Sequence, residues 1–303
     1  MSQASAQHKK TSGLEIFVHI LFIVISILCI APLILVISVS FSDETSIIAN
    51  GFKFYPEVFS LKAYEILFKD FEQILRSYGI SLFVTIVGSI LSLLLIALYA
   101  YPLSREDLKY RNAFAFFIFF TMLFNGGLVP WYLVYVNILH LKNTVWSLIL
   151  PLLMTPFFVI VMRTFFATTI PTALLESAKI DGASELKTFI RIVLPLSLPV
   201  LGTIALFNTV NYWNDWFLSL VFISDSHNIS LQYLMYKTLL NIQYITSNSA
   251  VLNGISSGGG QIDLPSRTLQ MAMAVVGIGP VVIAYPFFQR YFVRGLTIGA
   301  VKG

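Results

Sequence analysis

The chain has 303 residues, 57% hydrophobic and only 11% charged, with a formal net charge of +4. Soluble domains carry about 25% charged residues, so this composition excludes one and points to an integral membrane protein, while the lack of any basic run argues against nucleic acid as a partner. One cysteine, Cys29, and four scattered histidines leave no disulfide framework and no metal-ligand set.

Residues 1–15 are polar and precede the first apolar run, Ile16–Phe41. That run is too long for the apolar core of a signal peptide, and no small-x-small cleavage site closes it, so it reads as a retained helix. Five more spans come after it at Ile80–Leu103, Ala113–Val136, Thr144–Met162, Leu196–Ile223 and Leu269–Phe288. The expected fold is all-α: a polytopic membrane protein of about six transmembrane helices. Asn125-Gly126-Gly127 and Pro130 interrupt the third span, which is expected to end near Phe124, with an interfacial piece running on to Leu139. The phenylalanines of Phe116–Phe120 are expected to face lipid.

Lysine and arginine mark cytoplasmic segments. With the N-terminus inside, 12 basic residues fall in the inside segments and 7 in the outside ones. The bias predicts an N-in, C-in topology and puts residues 163–194 in the cytoplasm. The outer segment Ser42–Ser77 has mixed charge and is expected to hold a short helix around Lys62–Phe71. It reads either as a docking surface for a soluble partner or as a solvated cap. The outer loop 224–268 has a centre, Thr246–Gln261, rich in Ser, Asn and Gly. Such a stretch cannot bury enough apolar surface to fold alone, and reads as a finger or as slack.

Span five carries the densest polar cluster. Asn208, Asn211, Tyr212 and Asp215 recur at i, i+3, i+4 and i+7, one helical stripe. Counted from Leu196, Asn208 lies about 18 Å and Asp215 about 29 Å along the helix. Two readings stand side by side: a translocation path for a neutral, hydroxyl-rich solute, or helix–helix hydrogen bonding. Trp213 and Trp216 read as interface anchors. Pro151 and Pro156 in span four, and Gly277, Gly279 and Pro280 in span six, allow kinks.

Between two apolar runs lies a charged, amphipathic island, Pro171–Pro195. Pro171 suits a first helical turn. Leu174, Leu175 and Ala178, then Asp181 and Gly182, recur at helical spacing, and Gly182 fits the position just past a helix end. A second piece puts Leu186, Phe189, Ile190 and Val193 on one face. The island predicts a helix–turn–helix that offers an apolar knob ringed by charge.

Its spacing carries a resemblance. Glu176, Ser177 and Ala178, then Gly182, then Ile192, Leu194 and Pro195, resemble the EAA loop of ABC importer permeases, with Ser177 where the family usually has Ala. Tyr212-Trp213-Asn214-Asp215-Trp216 and the tail from Gln289 to Gly303 resemble the carbohydrate-uptake, MalG-like group. Phe124-Asn125-Gly126-Gly127-Leu128-Val129-Pro130 resembles the branch associated with complex oligo- and polysaccharides. The resemblance implies a binding-protein-dependent, ATP-driven importer in a bacterial cytoplasmic (inner) membrane. Its other parts would be a second homologous permease forming a heterodimer, two cytoplasmic ATPase subunits and an extracytoplasmic solute-binding protein. Glu176, Ser177, Ala178, Asp181, Gly182, Ile192, Leu194 and Pro195 would then form the ATPase-coupling surface, and the tail around Gly299, Ala300, Val301 and Lys302 would reach the ATPase interface.

On that reading residues 1–15 are the cytoplasmic N-terminus and 16–303 one permease domain, with its coupling loop at about 163–194 and its tail at about 289–303. The chain has no Gly-x-x-x-x-Gly-Lys-Ser/Thr loop, so ATP and Mg are expected on the partner ATPases, with no cofactor here. No nucleophile–base set suggests catalysis. The alternative class is a stand-alone ion-coupled solute carrier. Such carriers place ionisable residues mid-membrane, and no Asp, Glu, Lys or Arg lies deep in a predicted span.

Overall fold

A computed structural model describes residues 13–247 and 265–300. Most of the glycine-rich stretch Thr246–Gln261, together with Val301 and Lys302 of the tail, lies outside the described residues. Among those described the fold is all-α, its β content an isolated bridge between Ser42 and Phe59. The described chain divides into two compact units, residues 13–69 with 265–276 and residues 70–247 with 277–300.

The first unit opens with α1 (Gly13–Ser40), 28 residues long and therefore about 42 Å. Its apolar side chains are exposed on every side, from Leu14 to Ile37. A helix apolar all round is built for lipid or for other helices, not water. Its few polar groups turn to the backbone: Ser26 Oγ donates to the Phe22 carbonyl at 2.8 Å. After α1 the chain doubles back. The Asp43 amide donates to Val58 O and the Ser60 amide to Phe41 O, both at 2.9 Å, and Phe41 stacks on Phe59 and Tyr64. Asp43 caps α2 (Glu44–Asn50) by accepting from the Thr45 and Ser46 amides, and Gly51, at φ +76°, ends it. The short outer helix expected around Lys62–Phe71 is α3 (Lys62–Leu67).

Glu44 faces inward, only 6% exposed. Its carboxylate accepts from the Arg267 amide at 3.1 Å and from the Thr268 amide and hydroxyl, both at 3.0 Å. The first amides of a helix have no partner of their own and carry its positive dipole end. Glu44 thus satisfies the start of the last helix, Ser266–Ala300.

The second unit is organised on α4 (Phe71–Ser104), whose 34 residues extend about 51 Å. Asp70 starts it by accepting from the Gln73 amide at 3.3 Å. One face of α4 is small and polar: Ser77, Ser81, Thr85, Ser89 and Ser92 are all buried, with Gly88 among them. Small residues let helices approach closely, and α4 packs along Pro156–Thr169 and Leu198–Asn214.

Among the described residues two helices have span length and apolarity by themselves, α1 and the run Lys62–Ser104, and bent pairs raise the number of spans to as many as five. Among the described residues, where a shorter apolar helix Ser266–Val282 comes in addition, several of the about six expected spans are thus broken helices. Each break has a local cause. α5 (Arg111–Leu123) turns by 115° into α6 (Leu128–Leu133) and its π-helical extension. Gly127 stands there at φ +86°, and its amide donates to Asn125 Oδ1 at 2.8 Å. α7 (Trp146–Ile149) runs through a tight turn containing Pro151, and α8 (Pro156–Thr169) starts at a 49° bend on Pro156. The phenylalanines of α5 are exposed, Ile118 alone being buried in that helix. Gly277, Gly279 and Pro280 do not interrupt the last helix.

Candidate functional site

The island Pro171–Pro195 folds as a helical elbow. α9 (Thr172–Ile180) begins one residue later than expected, because Pro171 adopts extended backbone and sits ahead of the helix. Ser177 is the departure from the family pattern, and its hydroxyl donates to Ala173 O at 2.9 Å. The added polar group is absorbed by the helix itself. The end of α9 is a complete double-bonded cap. The Ala183 amide reaches back to Ala178 O at 2.9 Å and the Gly182 amide to Lys179 O at 3.1 Å, with Gly182 at φ +73°. This geometry requires left-handed backbone, which glycine adopts without steric cost.

Ser184 accepts from the Lys187 amide at 3.4 Å and starts α10 (Glu185–Thr188). The next turn, Phe189–Val193, is π-helical. Its extra residue shifts the register of the helix, so the single face expected for Leu186, Phe189, Ile190 and Val193 is split. Phe189 and Val193 are buried, whereas Leu186 and Ile190 are exposed. Ile192 and Leu194 are half-buried and Pro195 is exposed on the short α11 (Leu194–Leu196). At Ser197 the chain bends by 81° into α12 (Leu198–Asn214).

Beneath the elbow, Phe189 and Val193 join Ile96, Tyr101, Met162, Phe166 and Ile204 in one apolar cluster. Ala178 is buried while Glu176, Ser177 and Asp181 are exposed. Ile180 is 85% exposed, with Leu174, Leu186 and Ile190 also uncovered. Apolar side chains grouped on a surface otherwise rich in charge mark a contact surface. Beside α9 a cleft of about 430 Å³ is lined by Arg105, Arg111, Arg163, Lys179, Glu176 and Asp107 among others. The Arg105 guanidinium beside Asp107 holds that carboxyl below its usual range.

The polar stripe of α12 is divided by the fold. Asn208 is 1% exposed and donates to Ser92 Oγ on α4 at 3.0 Å. Tyr212 is buried with its ring over Gly88, and its hydroxyl donates to Ile149 O at 2.9 Å. Asn211 is exposed. Asp215 ends α12 and accepts from the Leu218 amide at 3.0 Å, which opens α13 (Phe217–Phe222) and breaks the continuous span expected to run to Ile223. Trp213 is not an interface anchor. It is buried, and its indole N–H donates to Gly277 O at 2.9 Å. Trp216 is partly exposed and its ring packs at a tilt, 4.2 Å between centroids, on Tyr236 of α14 (Leu231–Ser247). In the final helix, α15 (Ser266–Ala300), the backbone at Gly299 and Ala300 is helical.

Sequence reading missed Tyr101 and Arg105 of the α4 end and Glu185 of the elbow. Tyr101 donates its hydroxyl to Glu185 Oε2 at 2.8 Å. The one local signal was Glu185 just after the helix-starting Ser184; its partner lies on another element. No group of three metal-ligating side chains occurs among the described residues.

Comparison with known proteins places these features in company. The family model described as "Binding-protein-dependent transport system inner membrane component" matches residues 110–298. The polygalacturonan/rhamnogalacturonan transport system permease protein YtcP of Bacillus subtilis (strain 168) is 38% identical over 95% of this chain and 98% of its own. Protein LplC of the same organism is 38% identical over 100% of both chains. Among solved structures, a bacterial ABC transporter involved in import of the acidic polysaccharide alginate matches with a TM-score of 0.76. It is 28% identical, covering 92% of this chain and 96% of that one.

Proposed function

The chain belongs to the family of binding-protein-dependent transport system inner membrane components, and from that membership we propose that it is the permease subunit of an ATP-driven importer for an acidic oligosaccharide or polysaccharide fragment. The relatives named for polygalacturonan, rhamnogalacturonan and alginate support the acidic carbohydrate. The observation that carries the mechanism is the elbow. Its apolar residues, Ile180 foremost, stand uncovered at the end of a rigidly capped helix. A separate ATPase docks there, and the movement of its closure on ATP enters the helices through Glu176, Ser177, Ala178, Asp181 and Gly182. Ile192, Leu194 and Pro195 complete that coupling surface where the elbow joins α12.

The basic-residue bias supports an N-in, C-in topology, the elbow then facing the cytosol. The proposed assembly holds this chain in the MalG-type position beside a second permease, with two ATPases beneath and a binding protein outside. Residues 1–15 form a cytoplasmic segment ahead of one permease domain, and Gly299, Ala300, Val301 and Lys302 reach toward the ATPases. Within the stripe, Asn211 and Asp215 are the residues proposed to meet solute. Asn208 and Tyr212 brace the helices behind them.

The test is uptake by the complete complex in proteoliposomes, with ATP on the ATPase side and the binding protein on the other. Accumulation of a galacturonic-acid trimer, and not of maltotriose, is expected, with no uptake without ATP. Nucleotide-independent accumulation by this chain alone overturns the reading.

A further inference from the structure

Besides its covalent start from α8 and its share of the apolar cluster, the elbow is joined to the rest of its unit by two routes of unequal stiffness. The covalent route, toward α12, passes the π-helical turn Phe189–Val193 and then the 81° bend at Ser197, which lies between Pro195 and Pro199. Loosened turns and prolines are where helices flex. The second route is a clasp onto the end of α4. Tyr101, 8% exposed, donates to Glu185 Oε2 at 2.8 Å. Arg105, one residue past α4, donates to Glu185 Oε1 at 3.5 Å and is itself held by two bonds to Asp107, at 3.1 and 2.9 Å. The Tyr101 ring lies 5.1 Å from that of Phe189 and 6.5 Å from that of Phe166.

The Arg105–Glu185 pair is exposed on the glutamate side, and such pairs hold little by themselves. Tyr101 is different. Its ring is packed on two sides, it has few rotamers to lose, and its hydroxyl meets a carboxylate in a charge-assisted bond. It is the rigid member of the clasp.

We infer that Tyr101 and Arg105, acting through Glu185, are positioning residues that make the cytoplasmic end of α4 and the second piece of the elbow move as one body. This rests on the proposed docking of an ATPase at the elbow. Displacement of the elbow is then delivered first to α4, and from α4 to α12 through Ser92–Asn208 and Gly88–Tyr212. The backbone between elbow and α12 acts as the hinge that permits it.

The experiment uses the full permease–ATPase complex in nanodiscs, with Cys29→Ser as background and spin labels on Ser104→Cys and Lys187→Cys. Dipolar EPR compares the nucleotide-free state with the state trapped by ATP and vanadate. The parent is expected to keep one inter-label distance in both. Tyr101→Phe, which removes the hydroxyl and keeps the ring, is expected to shift that distance on trapping. Glu185→Gln is expected to do the same, each with an unchanged KM for ATP and a several-fold lower ratio of solute transported to ATP hydrolysed. A parent distance that changes on trapping overturns the inference, as does a Tyr101→Phe trace identical to the parent in both states. A labelled parent that never co-purifies with the ATPase overturns the docking reading, and the inference with it.

Discussion

Replacing Gly182 separates backbone strain from contact with a partner. Gly182 holds φ +73°, and no atom lies within 4 Å of where its Cβ would stand. A Cβ there therefore meets nothing among the described residues, and the internal cost of alanine is the left-handed backbone alone. That cost is about 1–2 kcal/mol for an ordinary L-residue and less for asparagine, which caps helices in this conformation. The free permease relieves that strain by relaxing the turn and docking must restore it, so at about 1.4 kcal/mol per tenfold alanine should weaken capture of the ATPase by up to roughly 5–30-fold. Leucine carries the same backbone cost as alanine, so loss beyond alanine's reports the reach of its longer side chain at the docking turn, with membrane yield showing whether that reach disturbs the permease itself. The assay is titration of ATPase onto nanodisc-held permease variants, with membrane yield as the folding control. The expected order is Gly182→Asn near the parent, Gly182→Ala weakened within that range and Gly182→Leu without capture. Equal losses for alanine and leucine would refute steric docking at this turn. Full capture by alanine would show that the capped turn is not needed.

The packing sets three further outcomes. A Cβ on Gly88 would stand 2.6 Å from the Tyr212 ring, which its own hydroxyl bond pins, so Gly88→Ala should cost about 1–3 kcal/mol. Gly79→Ala on the same helix, where space is open, should gain up to about 1 kcal/mol; thermal unfolding in detergent reads both. Glu44→Ala leaves the Arg267 and Thr268 donors without their carboxylate and should cost about 2–3 kcal/mol, with Glu44→Gln between it and the parent in the same melt. The Thr45 hydroxyl, aided by the Ser46 and Thr45 amides and opposed by some desolvation, holds the Asp43 carboxyl below its usual range. A depressed folded value means the unfolded chain binds the proton more readily. The cap's contribution is then complete above about pH 3.9 and is lost as pH falls through the folded value. Hydrogen-exchange protection over residues 44–50, taken relative to the intrinsic rate at each pH, should fall on that descent, and Asp43→Asn should flatten the dependence.

Features whose cause is local were legible in the residues. Gly182 had to come after a helix because only left-handed backbone closes that cap. Asn125-Gly126-Gly127 announced the sharpest bend, and the small helix near Lys62 was expected within the mixed-charge segment Ser42–Ser77. Features made by distant partners were not legible. Nothing near Glu44 in sequence says that it will receive the amides of Arg267 and Thr268. Trp213 resembled an anchor because its acceptor, the Gly277 carbonyl, belongs to another helix. The π-helical turn at Phe189–Val193 kept a helical pattern in the residues while rotating Ile190 outward. The break at Asp215 was hidden because apolar residues resume at Phe217 and make the run look whole. The stripe on α12 was visible as a stripe, but only packing divides it into Asn208 and Tyr212, held by neighbours, and Asn211, left exposed.

The hydroxyl-lined face of α4 bears on how such a bundle changes shape. Branched side chains interlocked across a contact must be prised apart before they can re-engage one step along. Short hydroxyls need no such separation. Ser92 already receives Asn208, while Thr85 Oγ1 and Ser89 Oγ have no hydrogen-bond partner among the described residues. Vacant acceptors thus lie one and two helical turns away from an occupied one, along the path a sliding neighbour would take. The seam thus sets short hydroxyls at successive turns, and a change of register along it would exchange one small polar contact for another without unlocking branched side chains.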